Sequence, residues 1–247
     1  YRNNAQSRVI EMAMVSNNIP YRVYGGLRFF ERAEIKSSLA YLRLITNKKD
    51  DTAFLRIINF PPRGIGAKAL ELIQDVANAE KISLWQSAEK VESENKNTKI
   101  SFFVHLIRHI EDQIEGNNID ESIDFINSYS TLKDHYGKDK DGSSRIENLD
   151  ELVSAAKAYI NEFREENTEN ESGDSKASIL SDFLDFTSLE SGELQASAGD
   201  DALQLMTIHS SKGLEFDTVF ITGLEEGLCP HERSLSENNG LEEERRL

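Results

Sequence analysis

The periodicity of the apolar residues switches twice along this chain, and the two switches limit its possible folds more than any other feature. Over Ala5–Ser16, Val9, Ile10, Met12, Ala13 and Val15 recur at helical spacing, and Asn17-Asn18 and Pro20 stop the run. Tyr21-Arg22-Val23-Tyr24 then alternates as a short strand that Gly25-Gly26 breaks. From Glu31 onward only the helical period is left. Ile35, Leu39, Leu42 and Ile45 form one stripe, and Phe54, Leu55, Ile57 and Ile58 another that Pro61-Pro62 ends. Further helices are expected over Ala67–Ala79, Leu84–Ala88, Phe102–Ile114, Ile119–Tyr129 and Leu149–Phe163, the last capped by Asn148 or Asp150. Residues 164–178 are acidic, lack large apolar side chains and read as a solvated loop. A helix over Ile179–Leu189 and a small-residue linker over Glu190–Gly199 follow. At Leu203 the strand pattern returns, in Leu203–Ile208 and again in Thr218–Thr222. Strands at both ends around a helical middle predict an α/β plus all-α chain, a discontinuous parallel-sheet domain with a large helical domain inserted into it.

Length and composition admit this plan. The 247 residues suffice for one large or two modest domains, and an apolar share of 38% builds a core if the polar residues gather in loops. A single cysteine, Cys229, allows no internal disulfide and fits a reducing cytoplasm better than secretion. No apolar run nears the roughly 20 residues of a membrane span, so no membrane partner is expected. The net charge of −16 argues against a nucleic-acid surface, but its distribution qualifies that. Residues 1–66 hold 11 Lys+Arg against 5 Asp+Glu, whereas 67–201 hold 13 against 30 and 202–247 hold 4 against 9. The basic first quarter is suited to DNA phosphates, and the remainder repels them.

Two stretches carry chemistry. The first is Thr207-Ile208-His209-Ser210-Ser211-Lys212-Gly213-Leu214-Glu215-Phe216, a polar cluster at the C-terminal end of a strand, where open α/β sheets bind ligands. Thr207, His209 and Ser210 offer donors for a phosphate, Lys212 adds a point charge, and Gly213 permits a tight turn. Glu215 is an acceptor suited to ribose hydroxyls. Any one of these residues alone reads better as part of an ordinary polar turn; the ten together do not. The second is Pro62-Arg63-Gly64-Ile65-Gly66-Ala67-Lys68, a glycine-flanked turn running into a helix. Backbone N–H groups at the positive end of a helix dipole favour phosphate, and Arg63 and Lys68 add charge beside them. A plain Pro-Gly turn is the competing reading. Trp85, Phe102, Phe103 and Phe125 fall in helical stripes and read as core. His105 and His109 have a metal-compatible spacing but no third ligand nearby, so no metal site is expected.

Four stretches in order carry a family resemblance. Thr207–Phe216 resembles motif V of superfamily 1 DNA helicases of the UvrD/PcrA/Rep type. Tyr1-Arg2-Asn3-Asn4-Ala5-Gln6-Ser7-Arg8 resembles their motif IV stretch, and Pro20–Gly26 with Arg28–Arg32 resembles the segment after it. Leu241-Glu242-Glu243-Glu244-Arg245-Arg246-Leu247 resembles the start of motif VI, and Arg145–Leu149 a further family turn. The resemblance implies that 1–30 and 202–247 are parts of a second RecA-like domain of P-loop NTPase type, and that 31–201 is an inserted helical domain. It implies single-stranded DNA contacts for Thr207, His209, Ser210 and Lys212, and DNA-strand or inter-domain contacts for Arg2, Asn4 and Arg8, with Arg8 equally readable as a solvated surface arginine. It also implies an ATP contact for Gly213 and Glu215. For Arg63, Gly64, Ile65, Gly66 and Lys68, in a turn similar to a helix-hairpin-helix element, it implies a grip on duplex DNA.

The implied function is an ATP- and Mg2+-dependent 3′-to-5′ helicase of DNA repair or replication restart, with repair proteins or self-association as possible partnerships. The sequence begins at Tyr1 without methionine and stops within a helical pattern, and both ends read as cut from something longer. It contains no G-x-x-x-x-G-K-[S/T] phosphate loop, so the chain alone is expected neither to hydrolyse ATP nor to hold a bound cofactor. Two other readings stay open: an acidic helical insertion that serves as a partner-docking or autoinhibitory module, and a helicase–nuclease relative of the RecB kind.

Overall fold

The computed structural model describes residues 1–2, 4–24, 27–94, 98–139, 142–166, 176–190, 201–225, 229–230 and 242. They fall into two compact units, Tyr1–Arg32 with Leu189–Leu247, and Ala33–Ser188.

In the first unit a 3-10 turn over Asn4–Gln6 leads into helix α1, Ser7–Ser16. Asn17 and Asn18 end the helix as short polar side chains can. The Asn17 amide donates to the Ala13 carbonyl at 2.8 Å, and Asn18 adopts a left-handed φ of 52°. Strand β1, Tyr21–Tyr24, pairs in parallel with β2, Leu203–Met206, in the register Tyr21 opposite Leu203 through Tyr24 opposite Met206. Tyr1, Tyr21 and Leu205 form a small core, closed by Ile10, Met14, Val15 and Val23. A buried polar cluster ties α1 to the segment before Arg32. Glu11 accepts the Phe29 N–H at 3.2 Å and lies 3.9 Å from the Arg32 guanidinium, which donates to Ser7 Oγ at 2.6 Å and sits over the Phe29 ring.

The second unit is all helix: α2 Ala33–Thr46, α3 Asp51–Ile57, α4 Ala67–Glu80, α5 Leu84–Ser93, α6 Thr98–Ile114, α7 Ile119–Tyr129, α8 Leu132–Tyr136, α9 Gly142–Glu166 and α10 Lys176–Glu190. Helix α2 is central, buried on most sides through Ile35, Leu39, Tyr41, Leu42 and Leu44, and it packs on α3, α6, α7, α8 and α9. Local signals set the helix starts. Asp50 Oδ1 accepts the Ala53 N–H at 2.8 Å, and Ser83 with Gln86 closes a reciprocal capping box on α5. Phe54 and Trp85 both meet Phe103 edge to face, which joins α3, α5 and α6.

Several sequence expectations need correction. Helix α9 starts at Gly142, so neither Asn148 nor Asp150 caps it, and Arg145–Leu149 is helical rather than a turn. The buried Asn148 amide donates instead to Glu34 Oε1 on α2 at 2.6 Å, a tertiary bond that local pattern cannot reveal. Helices also extend into the expected acidic loop, through Glu166 and from Lys176, and the short helix α8 carried too little periodicity to be read. Thr218–Thr222 forms no strand. Val219, Phe220 and Ile221 are 64%, 80% and 57% exposed, because β-propensity reflects packing on a neighbouring strand and none lies beside them among the described residues. Trp85 and Phe103 are core, but Phe102, about 100° round α6 from Phe103, is 61% exposed, and Phe125 is half-buried. The Gly25-Gly26 turn, the 191–199 linker and the motif VI residues other than Glu242 lie outside the described residues.

Candidate nucleic-acid interface

Beyond β2 the chain folds into a tight polar turn. Tyr1 brackets its entrance: the Tyr1 nitrogen donates to Met206 O at 3.1 Å, and the Ile208 N–H donates to Tyr1 O at 2.9 Å. These two bonds flank Thr207 as in a parallel ladder. The Thr207 hydroxyl accepts the Ser210 N–H at 3.1 Å and donates to Ser210 Oγ at 2.9 Å. Backbone bonds from Ser211 to Thr207 O, Lys212 to His209 O and Leu214 to Ser211 O complete the turn. Thr207 and Ser210 therefore shape the turn with the hydroxyls that the sequence offers as phosphate donors. What the turn presents outward is His209, Lys212 and Glu215, all exposed. Gly213 has φ +86°, and a Cβ there would meet nothing within 4 Å, so dihedral angle rather than crowding requires glycine.

The motif IV residues are placed differently from one another. Arg2 is half-buried, and its N–H donates to Gln6 Oε1 at 2.8 Å. Asn4 is half-buried and accepts the Ser7 hydroxyl on its carbonyl. Arg8 is not a solvated arginine: it is 7% exposed, with Nη1 2.9 Å from Met12 Sδ. Burial, with the Glu11 charge adding to it, pushes the nearby Tyr1 hydroxyl up to about 12.

In the helical unit, the turn between α3 and α4 is organised by Asn59, whose Oδ1 accepts the N–H groups of both Arg63 and Ile65 at 3.0 Å. Ile65 is buried and anchors the turn, and Gly64 takes φ +72°. The Arg63 side chain points inward. Its guanidinium donates to Ile57 O at 2.8 Å, Phe60 O at 2.9 Å, Ser130 O at 3.4 Å and the Tyr41 hydroxyl, and it lies over the Tyr41 and Phe103 rings. Five donors in a fixed fork explain why arginine fills this place. The expectation that Arg63 faces DNA is thereby revised. Gly66 opens α4 with no side-chain cap, and Lys68 is exposed in the first turn. Lys99, from α6, donates to Gly64 O at 2.9 Å.

Sequence reasoning passed over Asn59 and Lys99. An asparagine two residues ahead of Pro61-Pro62 is a turn-forming signal that could have flagged the first. Nothing local could have brought Lys99 to Gly64. His105 and His109 are both exposed, and among the described residues no three His, Cys, Asp or Glu side chains are grouped to hold a metal ion. No helix among them is long and apolar enough to cross a membrane.

Over residues 1–247 the chain matches the model of the UvrD-like helicase C-terminal domain. It is 45% identical to DNA helicase II of Haemophilus influenzae and 43% identical to DNA helicase II of Escherichia coli, in each case over 100% of this chain and 34% of the relative. It is 38% identical to the ATP-dependent DNA helicase PcrA of Bacillus subtilis, over 100% of this chain and 33% of the relative. The chain thus spans about a third of the length of these curated relatives. Matched along its whole length, from the half-buried motif IV stretch through the Thr207–Phe216 turn, the chain belongs to the UvrD-like helicase C-terminal domain family.

Proposed function

We propose that this chain is part of an ATP-dependent 3′-to-5′ DNA helicase or translocase serving DNA repair or replication restart in the bacterial cytoplasm. In this reading, residues 1–30 and 202–247 belong to its second RecA-like domain, and 31–201 form the inserted helical domain. The observation that carries the reading is the turn after β2, which holds His209 and Lys212 exposed at the C-terminal end of a parallel strand. His209 and Lys212 donate to phosphates of single-stranded DNA. Thr207 and Ser210 hold that turn rigid, and Arg2 and Asn4 line the neighbouring backbone. Such contacts are independent of sequence.

Glu215, exposed and without a hydrogen bond among the described residues, fits as an acceptor for the ATP ribose, with Gly213 letting the backbone approach. Hydrolysis of the bound nucleotide, with Mg2+, supplies the free energy for domain movement in the whole protein. The turn at Gly64–Gly66, with Ile65 as its anchor and Lys68 and Lys99 at its edge, grips duplex DNA by its backbone, and Arg63 supports that turn from behind.

Salt-dependent binding in the full-length protein tests the reading. Each phosphate contact to single-stranded DNA contributes about 0.7 to the slope of log affinity against log salt. Lys212→Ala is expected to weaken an oligo-dT complex and flatten that slope by about 0.7. Unchanged affinity and slope for both Lys212→Ala and His209→Ala would overturn it.

A further inference from the structure

The helical unit exposes a row of rings that its core does not use. Phe125 and Tyr129 on α7 are stacked at 5.3 Å with planes 10° apart, and the His109 ring of α6 lies 4.7 Å from Tyr129 at 36°. Tyr129 is 44% exposed. Along α6, Phe102, His105 and His109 follow one another at helical spacing on the same outer face, with Phe102 61% exposed. The inward stripe of this helix, Phe103, Val104, Ile107 and Ile110, is fully buried and separate from it.

The charge around these rings decides what they can receive. Residues 101–129 contain one basic residue, Arg108, against six carboxylates, Glu111, Asp112, Glu115, Asp120, Glu121 and Asp124. Arg108 is already held by Glu89 at 3.0 Å and Glu92 at 3.5 Å. Lys133, which adjoins Asp124, is shared between Asp124 and Asp150 at 2.9 Å each. Asp112 lies three residues beyond His109 and Glu121 four before Phe125, so both border the row. Rings that stack nucleic-acid bases sit in positively charged grooves. Glu111 is paired with Lys48 at 2.8 Å, and Lys99, three residues before Phe102, donates to Gly64 O at 2.9 Å. The rings beside Asp112 and Glu121 are thus bordered by carboxylates, and an aromatic surface flanked by carboxylates attracts a planar cation.

We propose that the Phe125–Tyr129–His109 row, extended to Phe102 and bordered by Asp112 and Glu121, is a docking surface for an arginine-bearing basic peptide segment of a partner protein. A guanidinium packs against the exposed part of this ring stack, at Tyr129 and toward Phe102, while its N–H groups donate to the bordering carboxylates. The surface is distinct from the turn at Gly64–Gly66, and the inference does not depend on the DNA reading of that turn.

A fluorescent oligoarginine peptide and a fluorescent oligo-dT serve as probes, followed by anisotropy with the 247-residue chain at near-physiological salt. The combined Phe102→Ala and Tyr129→Ala substitutions remove only exposed side chains, and circular dichroism confirms an unchanged fold. This variant is expected to bind the peptide about tenfold more weakly. Asp112→Asn with Glu121→Gln is expected to weaken it similarly, whereas Asp182→Asn with Asp185→Asn, an equal charge change on α10, leaves it unchanged. Three results would each overturn the proposal: peptide binding that follows net charge alone, loss of oligo-dT rather than peptide binding in the aromatic variant, or a dimer of the chain that the aromatic variant dissociates.

Discussion

Replacing Arg63 by alanine separates two roles that the sequence leaves merged. If Arg63 were a DNA ligand, its loss would lower duplex affinity and leave stability alone. The structure gives the opposite expectation. Its guanidinium donates to the carbonyls of Ile57, Phe60 and Ser130 and to the Tyr41 hydroxyl, linking the end of α3, helix α2 and the end of α7 through one group. Hydrogen bonds from a charged donor are worth about 1.5–3 kcal/mol each net, and bonds made by one group are not additive. Two well-formed bonds to carbonyls, with the weaker third and the ring contacts, put the loss at about 3–4 kcal/mol. For a domain of this size each kcal/mol lowers the melting temperature by about 2–4 °C, which gives a drop of about 6–16 °C. Thermal unfolding followed by circular dichroism measures it. Arg63→Lys should recover only a minor part, because an ammonium cannot span four acceptors. Refutation would be a variant that melts with the wild type yet loses duplex binding.

Three further outcomes follow from other features. Arg32→Ala leaves Glu11, 4% exposed, without its cation, and should destabilise the first unit by about 3–5 kcal/mol in urea unfolding; a change under about 1 kcal/mol would mean that the pair is solvated. The Tyr1 hydroxyl, raised to about 12 against about 10 in the unfolded chain, keeps its proton when folded. It therefore contributes stability that is complete below pH of about 10 and is lost as pH rises toward about 12; Tyr1→Phe should remove this part of the decline, and an identical pH profile for the variant would contradict it. The 247-residue chain by itself should hydrolyse no ATP with or without single-stranded DNA, and turnover that co-purifies with the chain through successive columns would refute that.

How far the sequence could be read depends on where each instruction resides. The helices of the second unit were legible because α2, α4, α6 and α7 each carry their own apolar stripe. Strands β1 and β2 were legible because both alternate or run apolar between clear breakers. What escaped was tertiary. Asn148 looks like a cap and is instead a bond to Glu34, and the guanidinium of Arg63, read from sequence as a DNA contact, is turned onto carbonyls of its own unit. In the turn after β2, composition identified the polar cluster, yet only geometry separates Thr207 and Ser210, which build it, from His209 and Lys212, which it displays.

Tyr1 and Met206 of the first unit pair across 205 positions of chain. The entropy lost on closing a loop grows only with the logarithm of its length, so doubling that stretch would cost about 0.6 kcal/mol more. The β1–β2 pairing is therefore tolerant of insertions between its two strands, and what the long separation makes unfavourable is the rate at which the strands meet rather than the strength of the sheet once formed.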